Sequence, residues 1–350
     1  MNRREFLYIA IFGVVSSALG CFCDYKRARR RILNMSENKN EMRESFEPAY
    51  TKLHKSGELR KRAEMLLESL KNCNLCPREC GVDRVSGELG VCRAPFDVYI
   101  SSAHPHFGEE PPLVGTNGSG TIFFTHCSLR CVFCINYEIS HLGEGYKVSY
   151  EKLADAMLRL QKVMGCHNIN LVTPTHYMPQ ILMALDIAAS KGLSVPVVYN
   201  TSGWEKVEML KYLDGVVDIY MPDFKYYDSE MSSKYSAGAG SYPEITKKAI
   251  LEMHRQVGVL KVSPRGIAQR GLIIRHLVMP NNVSGSKDVM RWISQNLPED
   301  TYINIMSQYM PVYKAKEYPE IGRRITYNEY YEVVDEVKRL GFTNLEIQGM

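Results

Sequence analysis

No stretch of the chain offers the run of about 20 apolar residues that a membrane-spanning helix needs. The longest approach to one, residues 6–19, is short and interrupted by Gly and Ser. Neither sign of charge dominates. The 43 Lys and Arg against 39 Asp and Glu leave a formal +4, part of it in the local run Lys26-Arg27-Ala28-Arg29-Arg30-Arg31. A basic face for nucleic acid is therefore not indicated. Internal repeats and low-complexity tracts are also missing, which argues against a solenoid or a tail-like chain. Cysteines are not scattered: seven of the ten fall in two tight clusters. Such clustering fits metal ligation in a reducing compartment better than a disulfide framework. With 350 residues, 45% of them hydrophobic, the chain can build a sizeable core without such staples.

What is present centres on residues 118–140, GSGTIFFTHCSLRCVFCINYEIS. A Gly-Ser opening leads into the strand-like Thr121-Ile122-Phe123-Phe124, and then come Cys127, Cys131 and Cys134. The spacing is not that of a zinc ribbon, which pairs one CxxC with another elsewhere. A cubane iron–sulfur cluster takes one ligand per iron, so three thiolates leave one iron open to a small molecule. This pattern, Cys-x3-Cys-x2-Cys after a strand with Phe133 just before the last cysteine, resembles the signature of the radical S-adenosylmethionine (radical SAM) superfamily. The resemblance implies a 4Fe–4S cluster on the three cysteines, SAM chelated at the open iron, and reductive cleavage to a 5′-deoxyadenosyl radical that abstracts hydrogen. It also implies that Phe133 and Ile135 line the adenine site.

The first 23 residues read as a segment apart from the fold. Arg3-Arg4 precedes the apolar run, the layout of a signal peptide. It resembles a twin-arginine export signal or an uncleaved anchor, whereas SAM and a low-potential donor are expected in the cytoplasm. Cys21 and Cys23 stay unassigned. Residues 24–70 are charged and read as a linker with some helix, the spacing of Leu59, Ala63, Leu66, Leu67 and Leu70 being helical. A cysteine-rich segment follows, residues 71–116. In it Cys73, Cys76, Cys80 and Cys92, with turn residues between them, can close a four-thiolate site for zinc or an auxiliary iron–sulfur cluster. The stretch His104-Pro105-His106-Phe107-Gly108-Glu109-Glu110 reads as a rigid Pro-rich connection, with Glu109 or Glu110 near the substrate.

From residue 117 to 345 apolar β-branched runs alternate with helical patterns, the βαβ rhythm of an α/β fold with a parallel sheet. Strands are expected at 121–124, 168–172, 195–199, 216–220, 271–278 and 301–305. Helices are expected at 149–164, 179–192, 204–213, 243–257 and around 289–293, and a last one opens at the capping box of Thr326 and Glu329. Six βα units predict a partial (β/α)6 barrel with its site at the carboxyl ends of the strands. There lie the triple cysteine, then Thr173, Thr175 and His176, then Asn200, then Asp223.

Within the superfamily the chain resembles the activating enzymes of glycyl-radical enzymes, such as the pyruvate formate-lyase activator. Met221-Pro222-Asp223-Phe224-Lys225 resembles the Asp-x-Lys motif near SAM and substrate, implying catalytic roles for Asp223 and Lys225. Asn200-Thr201-Ser202-Gly203 resembles the ribose-side motif, and Arg275 the fifth-strand arginine that meets SAM. Thr173-Pro174-Thr175-His176 replaces the usual Gly-Gly-Glu, so Thr hydroxyls or carbonyls would take over the amino-group contact. The extra cysteines precede the signature rather than follow it. The implied partners are a flavodoxin- or ferredoxin-like electron donor and an unidentified substrate, a protein glycine being one candidate. An envelope-tethered iron–sulfur electron carrier also explains the cysteines and the signal-like start. A radical methylase would need a further cysteine, and Cys166 falls at the wrong end of a strand.

Overall fold

The computed structural model describes residues 46–349. The readings of residues 1–23, with Cys21 and Cys23, and of the linker up to residue 45 lie outside the described residues. The strands are β1 (Val98–His106), β2 (Ser119–Phe124), β3 (Tyr146–Val148), β4 (Ile169–Val172), β5 (Val197–Thr201), β6 (Ile219–Pro222), β7 (Lys261–Val262), β8 (Ala268–Leu277), β9 (Tyr302–Met306) and β10 (Leu345–Ile347). The longer helices are α1 (Tyr50–Lys55), α2 (Glu58–Glu68), α3 (Tyr150–Lys162), α4 (Met178–Ser190), α5 (Ser229–Tyr235), α6 (Tyr242–Val257), α7 (Ser286–Asn296) and α8 (Tyr327–Arg339).

Strands β2, β4, β5, β6, β8, β9 and β10 run parallel in that spatial order. The sheet ends at β3 on one side and β10 on the other, so the barrel stays open. The six expected strands are all present. The additions are β10 as a seventh parallel strand and the antiparallel β1, β3 and β7. The His104–His106 stretch is thus the end of β1 rather than a loop. Pro105 is accommodated there because β3 pairs only with Val98–Ile100, leaving the outer side of β1 unpaired at Pro105.

Successive side chains on a strand point to opposite faces, and here the two faces are both apolar. Tyr199, Tyr220, Leu272 and Ile274 join the core beneath the helices. Their neighbours Val198, Ile219, Met221 and Ile273 pack inside the barrel with Leu113 and Tyr302. Strands buried on both faces read as continuous apolar runs, which is why they stand out in the sequence.

The linker reading is corrected from residue 47 onward. Tyr50, Leu59, Ala63 and Leu66 are buried in the main core. His54 and Arg60 both reach Asp186 of α4, at 2.7 and 2.8 Å, and the Ala49 amide donates to Asp218 at 2.8 Å. These helices are charged on one face only, and the other docks on the barrel. The polar, glycine-containing residues 226–242 contain α5, whose N-terminal amides of Glu230 and Met231 are capped by Asp228 at 2.8 and 2.9 Å. The 204–213 helix is reduced to single turns at Val207–Leu210 and Lys211–Leu213.

The Thr326 capping box forms: its hydroxyl accepts from the Glu329 amide at 3.2 Å, and Glu329 accepts from the Thr326 amide at 2.8 Å. Thr326→Ala is expected to cost about 1 kcal/mol of stability, measurable as a lowered denaturation midpoint with an unchanged slope.

Candidate active site

A cleft of about 440 Å³ opens at the carboxyl ends of the strands, lined on one side by Cys127, Cys131 and Cys134. The loop carrying them is held by backbone bonds: the Val132 amide donates to the Tyr235 carbonyl at 2.9 Å, and its carbonyl accepts from the Lys314 amide at 3.0 Å. The residues just before Cys127 and Cys131, His126 and Arg130, adopt left-handed φ of 69° and 54°. Non-glycine residues rarely sit there, and such strain gathers at functional loops. Ser236 donates to the Cys131 sulfur at 3.1 Å, and the Ser140 oxygen lies 3.1 Å from the Cys134 sulfur. Burial pushes the Cys131 thiol up to about 12 and also raises Cys134, with the nearby Cys127 adding to both. Thiols so placed ionise when a metal centre takes the sulfur.

Facing the thiols is a ring of charge at the barrel mouth. On three strands an inward-facing apolar residue is followed, two positions on, by a polar one: Val198 by Asn200, Met221 by Asp223, Ile273 by Arg275. The guanidinium of Arg275 donates to Asp223 at 2.8 Å, to Asn200 at 2.7 Å and to Glu109 at 3.4 Å. Lys225 donates to the other Asp223 oxygen at 2.6 Å. Burial alone would raise the Asp223 carboxyl, but Arg275 and Lys225 outweigh it and hold the group below its ordinary range. Burial likewise works against a charged Lys225, and the neighbouring Asp223 more than reverses it. The ring therefore carries two cations against one firmly ionised aspartate.

Phe133, Thr173, Asn200, Asp223, Lys225 and Arg275 all line the cleft, and Ile135 stands at its rim, 61% exposed. Phe133 packs against Tyr226 and Tyr309. Thr175 does not reach the cleft: its hydroxyl donates to the buried Glu205 at 2.5 Å. His176 also leaves it and lines a separate cavity with the other four cysteines. The cause is the left-handed turn at Thr173, φ 59°, after which the chain turns into the helix that begins α4. Glu109 is brought in from the segment after β1, and Ser236 from the loop after α5. Glu109, one of the two acids expected near the substrate, lines the cleft, whereas the sequence context of Ser236 is unremarkable.

The cysteine loop fits a cluster. Its three thiols share one cleft, no carboxylate stands among them, and the polar ring faces them across a ligand-sized space. Among the described residues no three His, Cys, Asp or Glu are gathered closely enough to hold a single ion.

The radical SAM superfamily profile matches residues 121–263. The chain belongs to the radical SAM superfamily. It is 33% identical over 282 residues to an uncharacterized protein of Methanocaldococcus jannaschii, covering 78% of this chain and 76% of that one. Among solved structures it is similar to methylornithine synthase, at TM-score 0.43 and 18% identity over 63% of this chain and 60% of that one. It is also similar to Streptococcus suis SuiB bound to S-adenosylmethionine, at TM-score 0.43 and 13% identity over 64% and 48% of the two chains. The chain thus spans between about half and three-fifths of those two structures.

Glu109 gives the site a pH signature. Burial pushes its carboxyl up to about 7, with Arg275 opposing and Glu110 and Asp223 adding to the rise. Because the folded value exceeds the ordinary one of 4.5, the unfolded chain releases this proton first. The contribution is fully present below pH 4.5 and is lost as pH rises through about 7. Glu109→Gln is expected to flatten the fall in melting temperature across that window by about one proton's worth, read from anaerobic melts of both proteins between pH 4.5 and 8.

Proposed function

We propose that this protein binds a 4Fe–4S cluster on Cys127, Cys131 and Cys134, and SAM in the adjoining cleft, to abstract a hydrogen atom from a substrate held beside Lys225. The observation that carries the reading is the Asn200–Asp223–Lys225–Arg275 ring lining the same cleft as the three thiols. When bound, cluster and SAM together supply a 5′-deoxyadenosyl radical. The chain's own residues bind and orient. Arg275 and Lys225 give the cleft the positive balance that an amino-acid carboxylate requires, and Asn200 offers an amide for a hydroxyl-rich group. Thr173 takes the edge of the site left without a Gly-Gly-Glu stretch, while Thr175 is committed to Glu205. Phe133 and Ile135 flank the cluster loop as apolar walls for a flat ring.

A low-potential one-electron donor of the flavodoxin or ferredoxin type would supply the reducing equivalent. The resemblance to glycyl-radical activating enzymes makes a protein glycine the first substrate to test. An electron carrier has no use for a buried ring of charge at strand ends, so the enzymatic reading is favoured. Reconstituted protein reduced with dithionite should convert SAM to 5′-deoxyadenosine and methionine, and Cys131→Ala should abolish the product. Arg275→Met, with folding checked by its melting curve, should weaken SAM binding at least about tenfold, the weight of one charged hydrogen bond. A folded wild-type protein that carries the cluster yet forms no 5′-deoxyadenosine would overturn the proposal.

A further inference from the structure

The other four cysteines meet in space as they do in sequence. Cys73, Cys76, Cys80 and Cys92 line one cavity together with Arg84 and His176. Amides already point at their sulfurs, Val91 to Cys80 and Ala94 to Cys92, each at 3.4 Å. Gly90 runs so close that a β-carbon there would sit 2.9 Å from the Cys80 sulfur.

Two buried groups in this cavity are incomplete. Arg84 is 1% exposed, and its hydrogen bonds end on carbonyls, of His176 at 2.7 Å and Pro95 at 2.6 Å, not on a carboxylate. Its Nε–H has no partner at all. A buried guanidinium stays charged and calls for an anion. His176, 2% exposed, donates from Nε2 to the Thr125 carbonyl at 2.7 Å, so its Nδ1 holds a lone pair that nothing meets. Four neutral thiols supply no anion. Four thiolates on a metal centre do, because their charge outweighs that of a cluster core or a single zinc ion.

The cavity is wired to the first cysteine loop. Arg78, between Cys76 and Cys80, donates to the carbonyls of Ser128 at 2.9 Å, Leu129 at 3.3 Å, Ala237 at 2.7 Å and Ser236 at 3.1 Å. Ser236 is the residue whose hydroxyl meets Cys131. The Thr125 carbonyl that accepts from His176 lies two residues before Cys127.

We propose that Cys73, Cys76, Cys80 and Cys92 hold a second iron–sulfur cluster, the anionic partner of Arg84, which relays electrons to the cluster at Cys127, Cys131 and Cys134. A cluster is favoured over zinc because the cavity is tied through Arg78 to the loop that carries the first three cysteines, a position from which a redox-active centre can pass electrons and a redox-inert zinc ion cannot. Ligated at every corner, this centre has no position for SAM, which leaves electron transfer. One electron enters from a low-potential one-electron carrier protein, reduces the second cluster, and passes to the first, leaving the second oxidised. No bond or proton need move. The relay rests on the proposed function, whereas the ligation stands without it.

The test uses anaerobically purified full-length protein. The triple variant Cys127→Ala, Cys131→Ala, Cys134→Ala should keep about half of the wild-type iron and acid-labile sulfide. Its reduced electron paramagnetic resonance signal should not respond to SAM. Stoichiometric zinc in place of iron, or no metal, overturns the ligation. Wild-type iron residing wholly in this site would instead sink the proposed function and spare the second cluster. For the relay, Cys76→Ser should leave reduction of the first cluster by dithionite unchanged but slow its reduction by reduced flavodoxin at least about tenfold. Equal rates with flavodoxin overturn the relay.

Discussion

The two-residue alternation of a β-strand is the constraint from which the rest of this molecule follows. In a parallel sheet buried on both sides, every odd step turns outward to the helices and every even step inward. Val198, Met221 and Ile273 spend their inward step on filling the barrel. The next inward step falls at the barrel mouth, where Asn200, Asp223 and Arg275 meet. Register enforces the meeting: Asn200 pairs with Met221, and Asp223 bridges to Arg275 across neighbouring strands. A slip of one residue would turn the whole ring into the helix layer.

Electrostatics then divides the molecule into two kinds of buried charge. At the mouth, Arg275 and Lys225 share Asp223, so each buried cation has a carboxylate partner and the pair of cations leaves a positive balance for a ligand. Breaking such a pair leaves an uncompensated buried charge, which costs about 3–5 kcal/mol. In the four-cysteine cavity the account does not close with protein groups alone, because Arg84 ends on carbonyls. Two sulfur-lined spaces, one facing a ring of paired side chains and one facing a cation without a carboxylate partner, call for different contents. The first is open on one side and suits a ligand, and the second is enclosed and suits a centre ligated at every corner.

Much of this was legible in the chain. The six strands, the capping box at Thr326 and the cysteine spacing are local patterns, each encoded within a few residues of itself. The ring residues were legible because they follow strands. Thr175 was misread because the direction of a side chain in an irregular loop depends on backbone rotation, here the left-handed Thr173. The helices α1 and α2 looked like linker because their charge was visible and the apolar groove waiting for them on α4 was not. β1 was missed because Pro105 and two histidines hide the end of a strand whose outer edge is unpaired there.

By itself the sequence determined the thiol spacing, the order of βα units and the positions at which polar residues end strands, since all of these depend on near neighbours and a fixed period. Only the tertiary structure decided that Glu109 joins Arg275, that Ser236 reaches Cys131, that His176 turns away from the cleft, and that Arg78 spans the two cysteine sites. Those contacts join residues dozens to more than a hundred positions apart. No local period carries them; they exist because the open barrel brings loops from separate strands to one end and buries charges that must find partners there.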